Sequence, residues 1–492
     1  MLLLGIDIGT SSIKVSVVDA QSQKCVASVS YPETESEIIS IQPGWAEQSP
    51  AMWWQHTQAA ILKANSTGLY NSKEIGAIGI SYQMHGLVVI DKDGNVLRDS
   101  IIWCDSRAVE IGKAAFEKIG HSKCLQNLLN SPGNFTGSKL AWVKQNEPDI
   151  YKKINKIMLP GDYISFCFTG ETSISISSLS EGIFWDFANN ELSDDVFNYF
   201  SFERSLIPEI KDVFSEHGKL QKDIADNLGL TTGIPVSYKA GDQPNNALSL
   251  NVLKAGEVAA TAGTSGVIYG VTDELTFDPL SRINTFAHVN FTQEQKHLGV
   301  LLCINGTGIL NRWIKNTTGI ASYEMMNEAA KKISIGSNGL FIHPFGNGAE
   351  RMLENKIAGA HISDIDFNIH SNAHLYRAAQ EGISFAFRYG LDILKENKMT
   401  PKIIRAGKAN MFLSDVFVDS FVNTLNIPLE MHNSDGSVGA AIGAGIGASV
   451  YADAAEAFHN TKPIAIKEPG NNVALYEALY QEWKEELLKK LN

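Results

Sequence analysis

The feature that most constrains this chain is a motif written twice. GIDIGTSSIKVSVVDA runs from Gly5 to Ala20, and AATAGTSGVIYGVTDE runs from Ala259 to Glu274. Gly9, Thr10, Ser11, Val17 and Asp19 fall in step with Gly263, Thr264, Ser265, Val271 and Asp273. In each copy a short apolar run halts at Gly-Thr-Ser and a second, alternating run resumes at once, which predicts a tight hairpin. Glycine at such a turn supplies the backbone angles and has no side chain in the way, so backbone N–H groups can approach an anion closely. Two hairpins in register, each heading one half of the chain, predict a duplicated domain with a phosphate-bearing nucleotide between the halves. The alternative is a pair of unrelated hairpins.

At 492 residues the chain exceeds what one core usually supports, so two or three domains of roughly 150 residues are expected. A net charge of −13 argues against a nucleic-acid or acidic-membrane surface, because both partners demand a basic field. An anionic ligand must therefore be met by local N–H groups, a few cations and a metal. The five cysteines, Cys25, Cys104, Cys124, Cys167 and Cys303, form no CxxC pair and are expected to pack as small apolar residues in a reducing, cytoplasmic setting. The opening Met-Leu-Leu-Leu reaches Asp7 without a basic region, which is not the pattern of a signal peptide. Gly439 to Ala448 is too short and too weakly apolar for a membrane span, and its spaced glycines predict a helix packed closely on another element.

Along the first half the pattern predicts a third strand near Cys25 to Val29 and a helix opening at Ser49-Pro50. A strand ending at Gln83 to Gly86 follows, then a second ending in the Asp93-Gly94 turn. Further helices are expected at Ser138 to Glu147 and Gly161 to Thr169, and a strand leads into Ala240-Gly241-Asp242-Gln243-Pro244. The second half repeats the plan, with its hairpin at Gly263, a strand at Gly299 to Cys303, and helices from Ile309 and from His374 to Asn397. A strand at Lys402 to Ala406 and a closing amphipathic helix from Leu475 to Leu491 complete it.

Four side chains stand out chemically. Asp7 ends an apolar strand two residues before a glycine turn, where a buried carboxylate needs a partner. It can serve a magnesium ion through water or be satisfied by turn amides. Lys14 can reach a phosphate as a point charge or remain a solvated strand lysine. Asp242, expected in a loop at a strand end before a hinge, is placed either as a general base for an attacking hydroxyl or as an Asx-turn stabiliser. His85, between Met84 and Gly86, can hydrogen-bond a polyol or be structural.

The chain resembles the FGGY family of carbohydrate kinases over essentially its whole length. The resemblance lies in GIDIGTSSIKV at Gly5, PGWAEQSPAMWW at Pro43, QMHG at Gln83, IIWCDSRA at Ile101, LPGDYISFCFTGE at Leu159, GDQPNNA at Gly241 and AGTSGV at Ala262. It implies an α/β, two-lobed, ribonuclease H-like fold of the actin and hexokinase type, with duplicated domains around a cleft. Residues 1–247 would be the sugar-binding domain and residues 248–492 the nucleotide-binding domain. The implied reaction moves the γ-phosphate of ATP, with Mg2+, to the terminal hydroxyl of a ketose, and QMHG with WCDSR resembles the branch acting on D-xylulose. By resemblance Asp242 is the base, and Met84, His85, Gly86 and Gln243 hold the sugar. Thr10, Ser11, Lys14, Gly263, Thr264, Gly407 and Asn410 serve the nucleotide, and Asp7 serves the metal. A homodimer is also implied.

Departures are visible too. Gln243 stands where an Asn is usual, Ala349-Glu350-Arg351-Met352-Leu353 replaces a Gly-Glu-Arg-Thr-Pro, and Arg405 to Asn410 replaces a glycine-rich run. Ser178 to Gly182 replaces an acidic Ser-Asp-Ala. These leave the sugar and the nucleotide preference open. The rivals are a sibling kinase for ribulose, gluconate or glycerol, an actin-like ATPase without a sugar, and a catalytically silent sugar sensor.

Overall fold

The computed structural model describes residues 1–433 and 435–491. The first sheet is built from β1 (Leu2–Ile8), β2 (Ile13–Asp19), β3 (Cys25–Tyr31), β4 (Ile75–Tyr82) and β5 (Val236–Gly241). The second contains β6 (Glu257–Ala262), β7 (Gly266–Thr272), β8 (Asn284–Ala287), β9 (Leu298–Ile304), β10 (Ile403–Gly407), β11 (Leu429–His432) and β12 (Ala465–Lys467). The spatial orders are β5-β4-β1-β2-β3 and β8-β9-β7-β6-β10-β11-β12.

The duplication is therefore topological as well as textual. In the first sheet β1 pairs antiparallel with β2 and β2 with β3, while β4 and β5 add in parallel on the other side. In the second, β6, β7 and β9 repeat the antiparallel set and β10 and β11 repeat the parallel pair. Strands β8 and β12 are additions at the two edges.

The helices that matter for the site are α1 (Pro50–Ser66), α2 (Thr136–Asn146), α3 (Pro160–Thr169), α4 (Ile176–Glu181), α5 (Asp242–Ser249), α6 (Gly308–Thr318), α7 (Tyr323–Lys331), α8 (Asn372–Glu396), α9 (Asp415–Leu425) and α10 (Gly436–Gly447). A closing helix, α11, spans Val473–Leu491. Helix α1 starts as its sequence requires, with Ser49 accepting a hydrogen bond from the Met52 N–H and Pro50 at the first helical position. Trp53, Thr57 and Ile61 then face the core, each apolar side chain contributing roughly 1.5–3 kcal/mol by burial.

Helix α10 belongs to the second half of the sequence but lies on the first sheet. A side chain on Gly5 of β1 would come 1.8 Å from the Ser437 carbonyl, and one on Gly79 of β4 would come 1.9 Å from that of Ala440. Glycine at these two strand positions lets a helix backbone settle directly on the sheet. The expected close-packing glycine helix is thus present, and its partner is the opposite half of the chain.

The lobes meet along a second seam. Edge strand β8 is covered by the first lobe: the Ser177 hydroxyl donates to the Ala287 carbonyl at 2.8 Å, and the Ala287 N–H donates to the Ser180 hydroxyl at 2.9 Å. Asn130 brackets Thr285, donating to its carbonyl and accepting from its N–H. Met84, Phe135, Ala247, Ala259, Val267, Tyr269 and Phe286 form a buried apolar cluster drawn from both halves.

Two expectations are corrected. Asp242 opens helix α5 rather than sitting in a loop; Pro244 is in the first turn, where its missing N–H has no intrahelical partner to lose. The cysteines are free and do not all pack inside: Cys124 is buried and Cys167 half-buried, but Cys25, Cys104 and Cys303 are exposed. Among the described residues no helix is long and apolar enough to cross a membrane.

Candidate active site

The floor of the cleft is set by the end of β4. Beyond Tyr82 the chain turns through Gln83, Met84, His85 and Gly86, and His85 takes a left-handed φ of 63°. A non-glycine residue pays for that conformation and must be held in it. Three hydrogen bonds do so. The His85 N–H donates to Glu181 Oε1 at 3.2 Å, ring Nδ1 bonds the Glu181 carbonyl at 3.1 Å, and the His85 carbonyl accepts from Lys139 Nζ at 2.7 Å. Phe135 and Phe286 flank the imidazole, with ring centroids 4.7 and 5.5 Å away. Burial holds the imidazole pKa down at about 3, with the nearby Lys139 charge acting in the same direction, so the ring is neutral.

Gly86 has its Cα against Pro160, leaving no room for a side chain. Met84 is only 5% exposed and packs into the apolar seam between the lobes.

Asp242 sits where β5 hands over to α5, facing the first hairpin. Burial pushes its carboxyl pKa up to about 7, the Asp7 charge adds to the rise, and hydrogen bonds from Gln243 oppose it. A first-turn aspartate gains only about 0.3–1 kcal/mol from the helix N-terminus, so desolvation wins. Such a group exchanges a proton near neutrality.

Asp7 ends in the same space. Burial raises its pKa, the Ser81 hydroxyl offsets part of that, and Asp435 raises it again. The Gly436 Cα faces it so closely that a Cβ there would lie 2.5 Å from Asp7 Oδ2. Asp435 caps α10 by accepting from the Ser437 N–H and pairs with Lys14 across the two halves. Burial works to raise the Asp435 pKa, but Lys14 and Ser437 overcome it and hold the carboxyl below its ordinary value. Lys14 is thus already matched to a carboxylate before any phosphate arrives. Thr10 is also engaged: its hydroxyl accepts from the Trp103 indole N–H at 3.0 Å and donates to Gln83 at 3.2 Å. Ser11 is exposed at the tip of the turn.

The second lobe offers a cavity of about 370 Å3 lined by Gly263, Thr264, Gly308, Asn311, Tyr323 and Asn410, among others. The Gly263 turn is anchored on α6, whose Gly308 N–H donates to the Gly263 carbonyl at 2.9 Å while the Ile309 N–H donates to that of Thr264 at 3.1 Å. Asn410 holds a left-handed φ of 52° over this turn, and Gly407 ends the strand leading to it. Cys303 of β9 lies within electrostatic reach of Asp242 and Arg351, which brings the second lobe up to the proposed base.

Several contributors were given no role by sequence reasoning: Glu181, Lys139, Asp435, Cys303 and Arg351. Glu181 and Arg351 lie in segments that depart from the family pattern, and Lys139 left a signal of its own, being a charge on the apolar face of α2 between Phe135 and Val143. In WCDSR, Asp105 and Arg107 are both buried and paired at 2.7 Å, Arg107 also bonds Glu47, and its guanidinium lies 3.8 Å from the Trp45 ring centroid. Asp105 and Arg107 thus build the wall, while Trp103 of the same motif reaches the first glycine turn at Thr10.

Two lobes of repeated topology, with a cavity at the glycine turn of one and, at strand ends of the other, a neutral histidine and an aspartate whose pKa is raised by burial, fit a two-lobed phosphotransferase of small alcohols. Residues 2–249 match the N-terminal domain of the FGGY family of carbohydrate kinases and residues 258–448 match its C-terminal domain, and the chain belongs to that family. It is 30% identical to a xylulose kinase of Haemophilus influenzae over 82% of each chain. It is 29% identical to a xylulose kinase of Bacillus subtilis, covering 98% of this chain and 96% of that one. The solved structure of Plasmodium falciparum glycerol kinase with ADP superposes with a TM-score of 0.90 at 20% identity, covering 100% of this chain and 98% of that one. The fold is thus shared by kinases of different acceptors.

Proposed function

We propose that this sugar kinase transfers the γ-phosphate of ATP to the terminal hydroxyl of D-xylulose, giving D-xylulose 5-phosphate and ADP. The observation that carries the reading is Asp242, a carboxyl with a pKa of about 7 in the cleft, opposite the second lobe's Cys303 and beside Asp7. The sugar is chosen from the xylulose kinases to which this chain is similar in sequence. Asp242 accepts the proton of the attacking hydroxyl as the new O–P bond forms and the bond to the β-phosphate oxygen breaks. Met84, His85, Gly86 and Gln243 hold the ketose. Thr10, Ser11, Lys14, Gly263 and Thr264 surround the phosphates, and Gly407 and Asn410 lie near the adenosine.

Asp7 is the residue proposed to hold Mg2+, with Asp242 nearby. Converging carboxylates with few other protein ligands suit an ion that keeps most of its water. Bound there, Mg2+ would neutralise phosphate charge. Residues 1–247 would carry the sugar and residues 248–492 the nucleotide, with α10 as the element of the second half seated on the first. Closure of the lobes aligns the reactants and excludes water. A cytoplasmic homodimer completes the reading.

The test is ATP consumption by the purified chain with Mg2+ and a panel of ketoses, aldoses and polyols. Turnover that depends on D-xylulose supports the proposal. Preference for ribulose, gluconate or glycerol replaces the sugar, and turnover indifferent to every acceptor removes the kinase reading.

A further inference from the structure

Glu181 and Lys139 are fully buried side chains with no part in the phosphoryl chemistry above. Both converge on one residue. Every polar group of His85 except Nε2 is taken: its N–H and its ring Nδ1 by Glu181, and its carbonyl by Lys139. A backbone carbonyl can only accept, so the bond from Nδ1 to the Glu181 carbonyl requires the proton to sit on Nδ1. Nε2 then carries a lone pair. Among the described residues nothing hydrogen-bonds Nε2, and His85 is half-buried rather than sealed.

Each clasping residue is itself fixed from behind. Lys139 donates a second hydrogen bond to the Ile102 carbonyl at 3.0 Å, which ties the turn to the strand-end segment beside it. Glu181 closes helix α4, whose Ser177 and Ser180 are bonded to the second lobe's edge strand. Its Oε2 is buried, has no partner among the described residues, and lies 2.8 Å from where a Cβ on Gly241 would stand. The carboxyl is therefore wedged between the His85 turn and the residue that precedes Asp242.

We propose that Glu181 and Lys139 are positioning residues that act through His85, locking its left-handed turn and its Nδ1–H tautomer so that Nε2 presents a single acceptor to one hydroxyl of the sugar. The placement of the sugar rests on the function proposed above; the tautomer does not. Burial raises the Glu181 pKa well above its ordinary value, and a neutral carboxyl is what a glutamine can imitate. Burial likewise brings the Lys139 pKa down to about 7, with Asp105 the largest opposing influence.

Two measurements decide it. Nitrogen-15 spectra of histidine-labelled wild-type protein, with His85 assigned by its loss in His85→Asn, should show a neutral ring protonated at Nδ1 throughout pH 5.5 to 8. A ring protonated at Nε2, or doubly protonated, overturns the clasp. In kinetics, Glu181→Leu should raise the KM for the sugar tenfold or more with the KM for ATP changed less than twofold, and Glu181→Gln should restore most of that loss. Equal rises in both KM values, or no recovery with glutamine, overturn the positioning role. Should Glu181→Leu not fold, Lys139→Met takes its place with the same expected split. A wild-type chain that phosphorylates no sugar removes the function proposed above and leaves the spectra to decide the clasp alone.

Discussion

The two glycine hairpins share a backbone and differ in charge. The first carries Asp7 on one strand and Lys14 on the other; at the matching positions the second has Thr261 and Ile268. The first faces Asp242 and the capped start of α10, while the second opens on the cavity and is pinned to α6. On the function proposed above, a duplicated scaffold is divided into an end that manages charge and proton and an end that seats a nucleoside. Backbone N–H groups at the turn were kept in both, because that is a property of the turn itself. The charges diverged because they are side chains.

The sharpest way to break this division is Asp242→Asn, which should lower turnover by about 100-fold to 10,000-fold while nucleotide affinity, read by calorimetry, stays within a factor of two. Near-normal turnover would remove Asp242 from the mechanism. Asp7→Asn should cost about 100-fold and raise the Mg2+ concentration needed for half activity, whereas Thr261→Val at the matching site should change turnover less than twofold. If both variants behave alike, the hairpins are not divided in the way described. Asn410→Ala should raise the KM for ATP by about 2-fold to 10-fold, the size of one neutral hydrogen bond, and leave that for sugar unchanged.

The smallest expected effect is on stability. The folded Asp242 keeps its proton up to about pH 7 against an ordinary carboxyl value of 3.8, so the folded state binds more protons than the unfolded chain in that window. Its contribution is complete below pH 4 and is lost as the pH climbs to 7. Asp242→Asn should therefore melt about a degree or more higher than wild type at pH 8, with no gain at pH 4. Over the same window sugar-dependent kcat/KM of the wild type should rise as the base loses its proton.

Much of the scaffold was legible because it follows local rules. The paired Gly-Thr-Ser turns, the Ser49-Pro50 start of α1 and the spaced glycines of α10 each state their backbone requirement in a few neighbouring residues. The sequence could not say that α10 would settle on the opposite half, since Gly5 and Gly79 disclose nothing until a helix lies over them. The expected loop around Asp242 is the first turn of a helix, and only the place of Pro244 in that turn shows why the helix tolerates it. Glu181 sits in a serine-rich stretch with no periodic signal, and its value comes from His85, nearly a hundred residues earlier. Long-range partners of this kind lie outside any local window.

The return of α10 to the first sheet has a consequence for how the protein is made. Strands β1 and β4 emerge early from the ribosome, yet the helix that covers them is translated only after residue 436. At about 5–20 residues per second, one face of the nascent front half stays bare for roughly 20 to 70 seconds. Premature termination just before α10 would leave that face permanently open, a chain that should be held by chaperones and cleared by proteases.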